Sequence, residues 1–334
     1  LMNLAQFIQS HALSFFHLSA PDLLLGWESD PAKRNIFGLI ESHPELARGG
    51  IRLRQLGQEI IEALGGRKVH PAWSVPGGVR ENLPIAARDR FLARLPEAYT
   101  VARQALVFFK RFLDTHAEET QVFGNFPSLF MGLVTPDGDW ENYDGLLRFA
   151  DSTGNILHEI DPIEYEQFVG EVVEKDSFLK SPFYKPLGYP AGVYRVGPLA
   201  RLNTCSFIPT PEAEAARREF RALTHGRPNN VTMCYHWARM VELLHAIEAI
   251  RDLLNDSDLQ GTDLVVHGPR REEAVGVIEA PRGTLFHHYR VNRNDEVTLC
   301  NLIVSTTNNN EPMNRAVTKV ARDFLTGKPE ITEG

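Results

Sequence analysis

Cysteine is scarce in this 334-residue chain: Cys205, Cys234 and Cys300 are widely spaced and form no C-x-x-C pair. That excludes a disulfide framework and fits a reducing compartment. All three read as small buried hydrophobes, Cys205 in a Pro-bounded loop, Cys234 on an apolar helix face and Cys300 in mid-strand. No apolar run approaches the ~20 residues of a membrane span. Net positive charge is also missing: 35 Lys and Arg against 43 Asp and Glu give a formal net charge of −8. Such a balance argues against general nucleic-acid binding, which needs a basic surface. Arg217-Arg218 and Arg270-Arg271 have carboxylates beside them and read as solvated faces. The N-terminus has no basic region followed by an apolar stretch and a cleavage site, so a cytoplasmic location is expected. The chain opens at Leu1 without an initiator Met, already in a helical pattern, and closes at Ile331 to Gly334 without a capping element. Both ends read as cut.

Several catalytic signatures are absent as well. There is no G-x-x-x-x-G-K-[ST] loop, no G-x-G-x-x-G after a strand, no H-E-x-x-H and no G-x-S-x-G elbow. His11 and His17 fall on different faces of one helix, as do His236 and His245, so neither is a good metal pair.

Helical periodicity dominates what is present. Leu4, Phe7, Ile8, Phe15 and Phe16 repeat at helix spacing over 4–19, with Pro21 and Gly26 expected to end that element. Asp30-Pro31 is expected to open a second helix that His43-Pro44 interrupts. Further helices are expected over 50–64, 84–120 (with a break near Pro96), 211–223, 230–255 and 312–325. A small β excursion is expected at about 121–160, with a hairpin turning at Ser152 to Asn155, and a second hairpin at about 275–304 turning at Asn292 to Asp295. Ser181 to Pro211 reads as Pro- and Gly-rich irregular chain. The sum is a mainly α, multi-helical body with small inserted β hairpins, expected to be one domain over 1–334.

The densest chemistry lies between Gly276 and Asn310. A β-like run ends at Pro281, which cannot donate to a sheet ladder, and Arg282 leaves the strand where Gly283 lets the chain turn. The return strand, Glu296 to Val304, leads into Ser305-Thr306-Thr307-Asn308-Asn309-Asn310. A guanidinium facing small donors describes a site for an anionic or polarised ligand. The same residues also fit a polar strand end whose arginine is paired for structure.

The Glu279-Ala-Pro-Arg-Gly283 segment followed by Ser305 to Asn310 resembles the large, catalytic subunit of nickel–iron hydrogenases. Gly192 to Asn203, Tyr235 to Met240, Thr306 to Val317 and Ser10 to Asp22 are similar to the soluble, bidirectional, NAD-reducing branch, so the resemblance covers essentially the whole chain. It implies the multi-helical large-subunit fold. It also implies reversible H2 oxidation at a Ni–Fe centre with CO and cyanide ligands, and a second metal such as Mg. Electrons would pass to an iron–sulfur cluster in a small partner subunit, then to FMN and NAD on diaphorase subunits. In that family four cysteines in two C-x-x-C pairs hold the metals. Neither pair is present, so the chain reads as the internal part of a longer subunit, expected to be inactive alone.

By the same resemblance, Arg282 is the catalytic group over the open metal position. Pro281, Ser305 and Thr306 belong to the pocket around the iron's diatomic ligands, and the backbone carbonyl of Cys300 is a candidate donor to the second metal. Two departures stand out on the first helix. Many members read Asp-His-x-x-His where this chain has Ser10-His11-Ala-Leu-Ser14, which removes a carboxylate partner for Arg282 and one histidine. The alternatives are a metal-free homologue, like the related subunit of respiratory complex I, and another soluble nickel–iron branch with a different electron acceptor.

Overall fold

Residues 2–25 form a nearly unbroken helical rod: Met2–Ala12 is α, Leu13–Ser19 is π, and Ala20–Leu25 is α again. Pro21 lies in the first turn of the last segment, where a missing N–H is tolerated, so the rod passes it and ends at Gly26, whose φ is 80°. This corrects the expected stop at Pro21. The structure, a computed structural model, describes residues 1–328, so the expected uncapped end at Ile331 to Gly334 lies outside the described residues. Within the domain expected over 1–334, the packing distinguishes two compact units. One comprises residues 1–115 with 239–269, the other residues 116–238 with the described residues from 270 onward.

The first unit is helical. Asp30-Pro31 makes turns rather than a helix start; the next helix is Ile36–Ser42. Asn35 caps it, its Oδ1 accepting from the Phe37 N–H at 2.9 Å and the Gly38 N–H at 3.3 Å. Pro44–Gly65 follows with Pro44 in its first turn and Gly66 as a left-handed cap, and buries Leu53, Leu56, Ile60, Ile61 and Leu64 along one face. Ile85–Thr115 runs through Pro96 without the expected break, and a separate short helix, Ala117–Thr120, follows in the second unit. The helix Tyr235–Leu254 begins in the second unit and continues into the first.

The second unit holds the larger sheets. Strands Ile156–Ile160, Leu146–Ala150 and Leu129–Val134 lie side by side and antiparallel, and Tyr194–Arg195 adds to Leu129–Val134 in parallel. Leu129–Val134 is buried throughout. A two-stranded ribbon, Val169–Val173 with Lys180–Tyr184, was not expected. Part of it falls in the Pro- and Gly-rich stretch, and both strands are edges, where Pro182 is tolerated. The hairpin expected at 275–304 is a three-stranded meander, Glu273–Ala280, Gly283–Val291 and Val297–Ile303, with the second strand in the middle. Its inner face packs Val277, Phe286 and Ile303 against Met131, Phe149 and Tyr194. No helix among the described residues is long and apolar enough to cross a membrane.

Candidate functional site

Arg201 carries the local architecture. It lies on the helix Pro198–Thr204, every residue of which is buried, and its own side chain is 0% exposed. Its Nη1 donates to Glu279 Oε2 at 2.7 Å and to the Ala280 carbonyl at 3.0 Å, and its Nη2 donates to the Pro281 carbonyl at 3.0 Å. Glu279, equally buried, also accepts from Thr284 Oγ1 at 2.8 Å and from the Leu133 N–H at 3.0 Å. Burial pushes the Glu279 carboxyl above its ordinary range, against the pull of Arg201 and these donors. A paired and saturated carboxylate of this kind fixes the end of strand Glu273–Ala280.

The chain then turns in two residues. Ala280 pairs with Gly283 across the turn, leaving Pro281 buried and Arg282 exposed. Two glycines let the turn settle on Val196-Gly197. Gly283 has φ 143°, and a Cβ there would fall 2.2 Å from Val196 Cγ2. Gly197 has φ 95°, and a Cβ there would fall 2.8 Å from the Arg282 carbonyl oxygen.

The polar run after Val304 closes the other side. Ser305–Asn308 forms a short helical turn. Asn308, fully buried, donates from Nδ2 to the Thr284 carbonyl at 2.8 Å and accepts from the Tyr194 hydroxyl at 2.6 Å. Asn309 Oδ1 accepts from the Val196 N–H at 3.0 Å, and Tyr235 donates its hydroxyl to the Val196 carbonyl at 3.1 Å. The structure therefore brings together residues 194–201, 279–284 and 308–309. Of the remaining site residues, Ser305 is buried and Thr306 is exposed.

Cys300 lies opposite Tyr289 on the outer strand of the meander. It is exposed, which corrects the buried reading: its side chain alternates onto the face away from Phe286 and Ile303. Cys205 and Cys234 are buried, and burial pushes the Cys234 thiol up to about 11.

Arg201 and Glu279 were not singled out from sequence. The available signal was a carboxylate at an inward position, in step with Val275 and Val277 along an alternating strand. Among the described residues, no group of three or more His, Cys, Asp or Glu side chains could hold a metal ion. The site contains a cation, amides and hydroxyls around a rigid turn, and no ligand cage.

A model of the nickel-dependent hydrogenase family matches residues 150–323. The chain is 44% identical over 339 residues to the NAD-reducing hydrogenase HoxS subunit beta of Cupriavidus necator, a match that covers 99% of this chain and 70% of that protein. It is 41% identical over 322 residues to a vhu-type F420-non-reducing hydrogenase subunit of Methanococcus voltae, covering 96% of this chain and 76% of that protein. The structure superposes on an NAD+-reducing NiFe hydrogenase in the H2-reduced state with a TM-score of 0.97 and 47% identity, over 99% of this chain and 74% of that one. A Ni-Fe-Se hydrogenase from D. vulgaris Hildenborough shares the fold, with a TM-score of 0.72 at 21% identity. The fold is that of the nickel–iron hydrogenase large subunit, and the chain belongs to the nickel-dependent hydrogenase family.

Proposed function

We propose that this chain is the outer shell of the catalytic subunit of a cytoplasmic NAD-reducing hydrogenase, which interconverts H2 with two protons and two electrons. The observation that carries this reading is the anchored turn: Arg201 grips the carbonyls of Ala280 and Pro281, so that Arg282 leaves a rigid base. The match to an NAD+-reducing hydrogenase at 47% identity supports the branch.

Three cysteines without C-x-x-C spacing do not fit a thiolate-held Ni–Fe centre. The cysteine ligands are therefore proposed to come from outside residues 1–334, and the isolated chain is proposed to be inactive. A Ni–Fe centre with CO and cyanide ligands would supply the Lewis acidity for splitting H2. Arg282 would hold a positive charge and a planar fork of donors beside the reacting position. Pro281 would present an apolar wall, and Ser305 and Thr306 would offer hydroxyl and amide donors to the diatomic ligands. The edge position of Val297–Ile303 supports a carbonyl donor at Cys300 for a Mg-type ion, since alternate carbonyls of an edge strand lie outside the ladder. The iron–sulfur cluster is assigned to a small partner subunit, FMN and NAD to diaphorase subunits.

The 41% identity to the Methanococcus voltae protein favours a second reading, the same chemistry with a different electron acceptor. Purification of the complex, nickel analysis and H2-dependent reduction of NAD against other acceptors tests both. Nickel with NAD reduction is expected. Nickel with reduction only of other acceptors selects the second reading, and a complex without nickel leaves only the metal-free homologue.

A further inference from the structure

Val196 is buried at the point where a strand ladder stops. The parallel pairing of Tyr194–Arg195 with Leu129–Val134 ends with Arg195 opposite Phe130, so the peptide groups of Val196 need other partners. One side chain meets both of them. Asn309 Oδ1 accepts from the Val196 N–H at 3.0 Å, and Asn309 Nδ2 donates to the Val196 carbonyl at 3.3 Å. The amide stands in for a neighbouring strand. Asn308 holds the other flank, donating to the carbonyl of Thr284, the residue after Gly283.

The turn that carries Arg282 rests on this same peptide. A Cβ at Gly283 would fall 2.9 Å from Val196 Cβ and 3.2 Å from the Gly197 nitrogen, so the two segments touch with no room for a side chain between them. In so close a packing, a displacement of Val196 passes directly to residues 282 and 283. Asn309 is fixed at its other end as well: its own N–H donates to the Thr306 carbonyl at 3.0 Å, closing the helical turn that begins at Ser305. Any polar neighbour could satisfy the Val196 peptide. Asn309 does so from the turn that carries Ser305 and Thr306.

We propose that Asn309 is a positioning residue for Arg282: its side-chain amide sets the spacing between the Val196-Gly197 seat, on which the arginine's turn rests, and the Ser305-Thr306 turn. The inference rests on the hydrogenase reading, in which Arg282, Ser305 and Thr306 act on one centre. Asn309 touches no reacting atom and acts through Val196, Gly197 and Gly283. It is partly exposed, whereas Asn308 is 0% exposed, so Asn309 can be replaced while the buried bonds of Asn308 stay in place.

The test uses the complete hydrogenase complex. Asn309→Leu keeps the side chain's size and loses both bonds to Val196. It is expected to retain nickel and the KM for H2 and to lower turnover about tenfold to hundredfold, the scale of displacing a reacting group by ~1 Å. In an Arg282→Lys background the same substitution should lower turnover little further, because residues that act through one group are not additive. Backbone amide exchange should quicken at residues 196–197 and 282–284 and stay unchanged in the strand pair Leu129–Val134 with Leu146–Ala150. Asn309→Ser, which also loses the paired bonds, serves if the leucine variant does not assemble. Equal fold-losses of turnover in the two backgrounds overturn the proposal, as does wild-type exchange at residues 282–284. A wild-type complex without nickel overturns the hydrogenase reading instead; the exchange measurement needs no nickel and still decides whether Asn309 holds the turn.

Discussion

Arg201 and Glu279 lie 78 residues apart in sequence and form an ion pair in which neither side chain is exposed, with Nη1 2.7 Å from Oε2. The pair is a clamp. One end is a fully buried helix, the other the last residues of the strand that delivers Pro281 and Arg282 to the turn. Removing one partner strands the other as an uncompensated buried charge, and Arg201→Met also releases two backbone carbonyls. The expected loss is ~3–5 kcal/mol of unfolding free energy, measured by urea denaturation. A loss below about 1 kcal/mol, the size expected for a single hydrogen bond, would reduce the clamp to an ordinary surface-type pair.

Gly283→Ala tests the seating of the turn separately from its charge. A methyl group at position 283 meets Val196 Cγ2 at 2.2 Å, and the backbone there sits at a φ of 143° that L side chains rarely adopt. Left-handed backbone costs roughly 1–2 kcal/mol and overpacking a further 1–3 kcal/mol. The turn is expected to lift from Val196-Gly197, so that the complete enzyme loses H2 turnover by more than stability alone explains. Turnover per correctly folded, nickel-loaded molecule is the measurement. An unchanged value would mean that the turn tolerates displacement.

Several elements were legible because single residues dictate them. Pro281 cannot donate to a ladder, and the strand ends there; Gly66 takes the left-handed cap that ends Pro44–Gly65. The turn at Asn292 to Asp295 and the strand pair Leu146–Ala150 with Ile156–Ile160 follow from turn chemistry and alternation. What stayed hidden depends on distant partners. Pattern alone gives Glu279 an inward place without revealing Arg201, and it cannot bring Asn308 to Thr284 and Tyr194. The ribbon Val169–Val173 with Lys180–Tyr184 lacks the alternation that marks a strand, and Cys300 looked buried because a mid-strand position does not say which face meets the core. Pro21 misled for a local reason: a proline in the first turn of a helix is harmless, and the π segment before it starts a new turn.

Arg282→Lys probes the group that the turn displays. Lysine keeps the charge and loses the planar fork of donors. The complete enzyme is expected to retain nickel but to turn over H2 more slowly, on the ~10²–10³ scale of losing one preorganised donor. Nickel content is read beside turnover, and wild-type turnover in the lysine variant would remove Arg282 from the catalytic role proposed for it.

Asp151 offers a test of the β excursion. Its carboxylate accepts from the backbone N–H groups of Thr153, Gly154 and Asn155 and from both the Thr153 hydroxyl and the Asn155 amide. Partial burial pushes its pKa up, but the hydrogen bonds from Thr153 and Asn155 outweigh this and bring it down to about 2. The folded value lies below the unfolded one, so the turn's stabilisation is complete above the ordinary carboxylate range and disappears as pH falls through about 2. Asp151→Ala is expected to cost on the order of 1 kcal/mol, a net hydrogen-bond contribution, and to flatten that part of the acid limb in urea titrations. An unaltered acid limb would assign the sensitivity to other carboxylates.

His245 makes a prediction of the opposite kind, about a group that resists protonation. Burial drives its pKa from the ordinary histidine value of 6.5 to about 4, while the neighbouring Glu242 pulls it upward. The unfolded chain therefore binds a proton between pH 6.5 and 4 that the folded chain refuses. Stability from this group is complete above 6.5 and is lost as pH falls toward 4, amounting to about 3 kcal/mol at about 1.4 kcal/mol per pH unit. His245→Gln removes the titrating ring, so its unfolding midpoint should vary less with pH over that window than the wild type's, even where its absolute stability is lower. If the two slopes coincide, His245 takes up its proton in the folded state as readily as in the unfolded one. Its surroundings would then be wetter than its 5% exposure indicates.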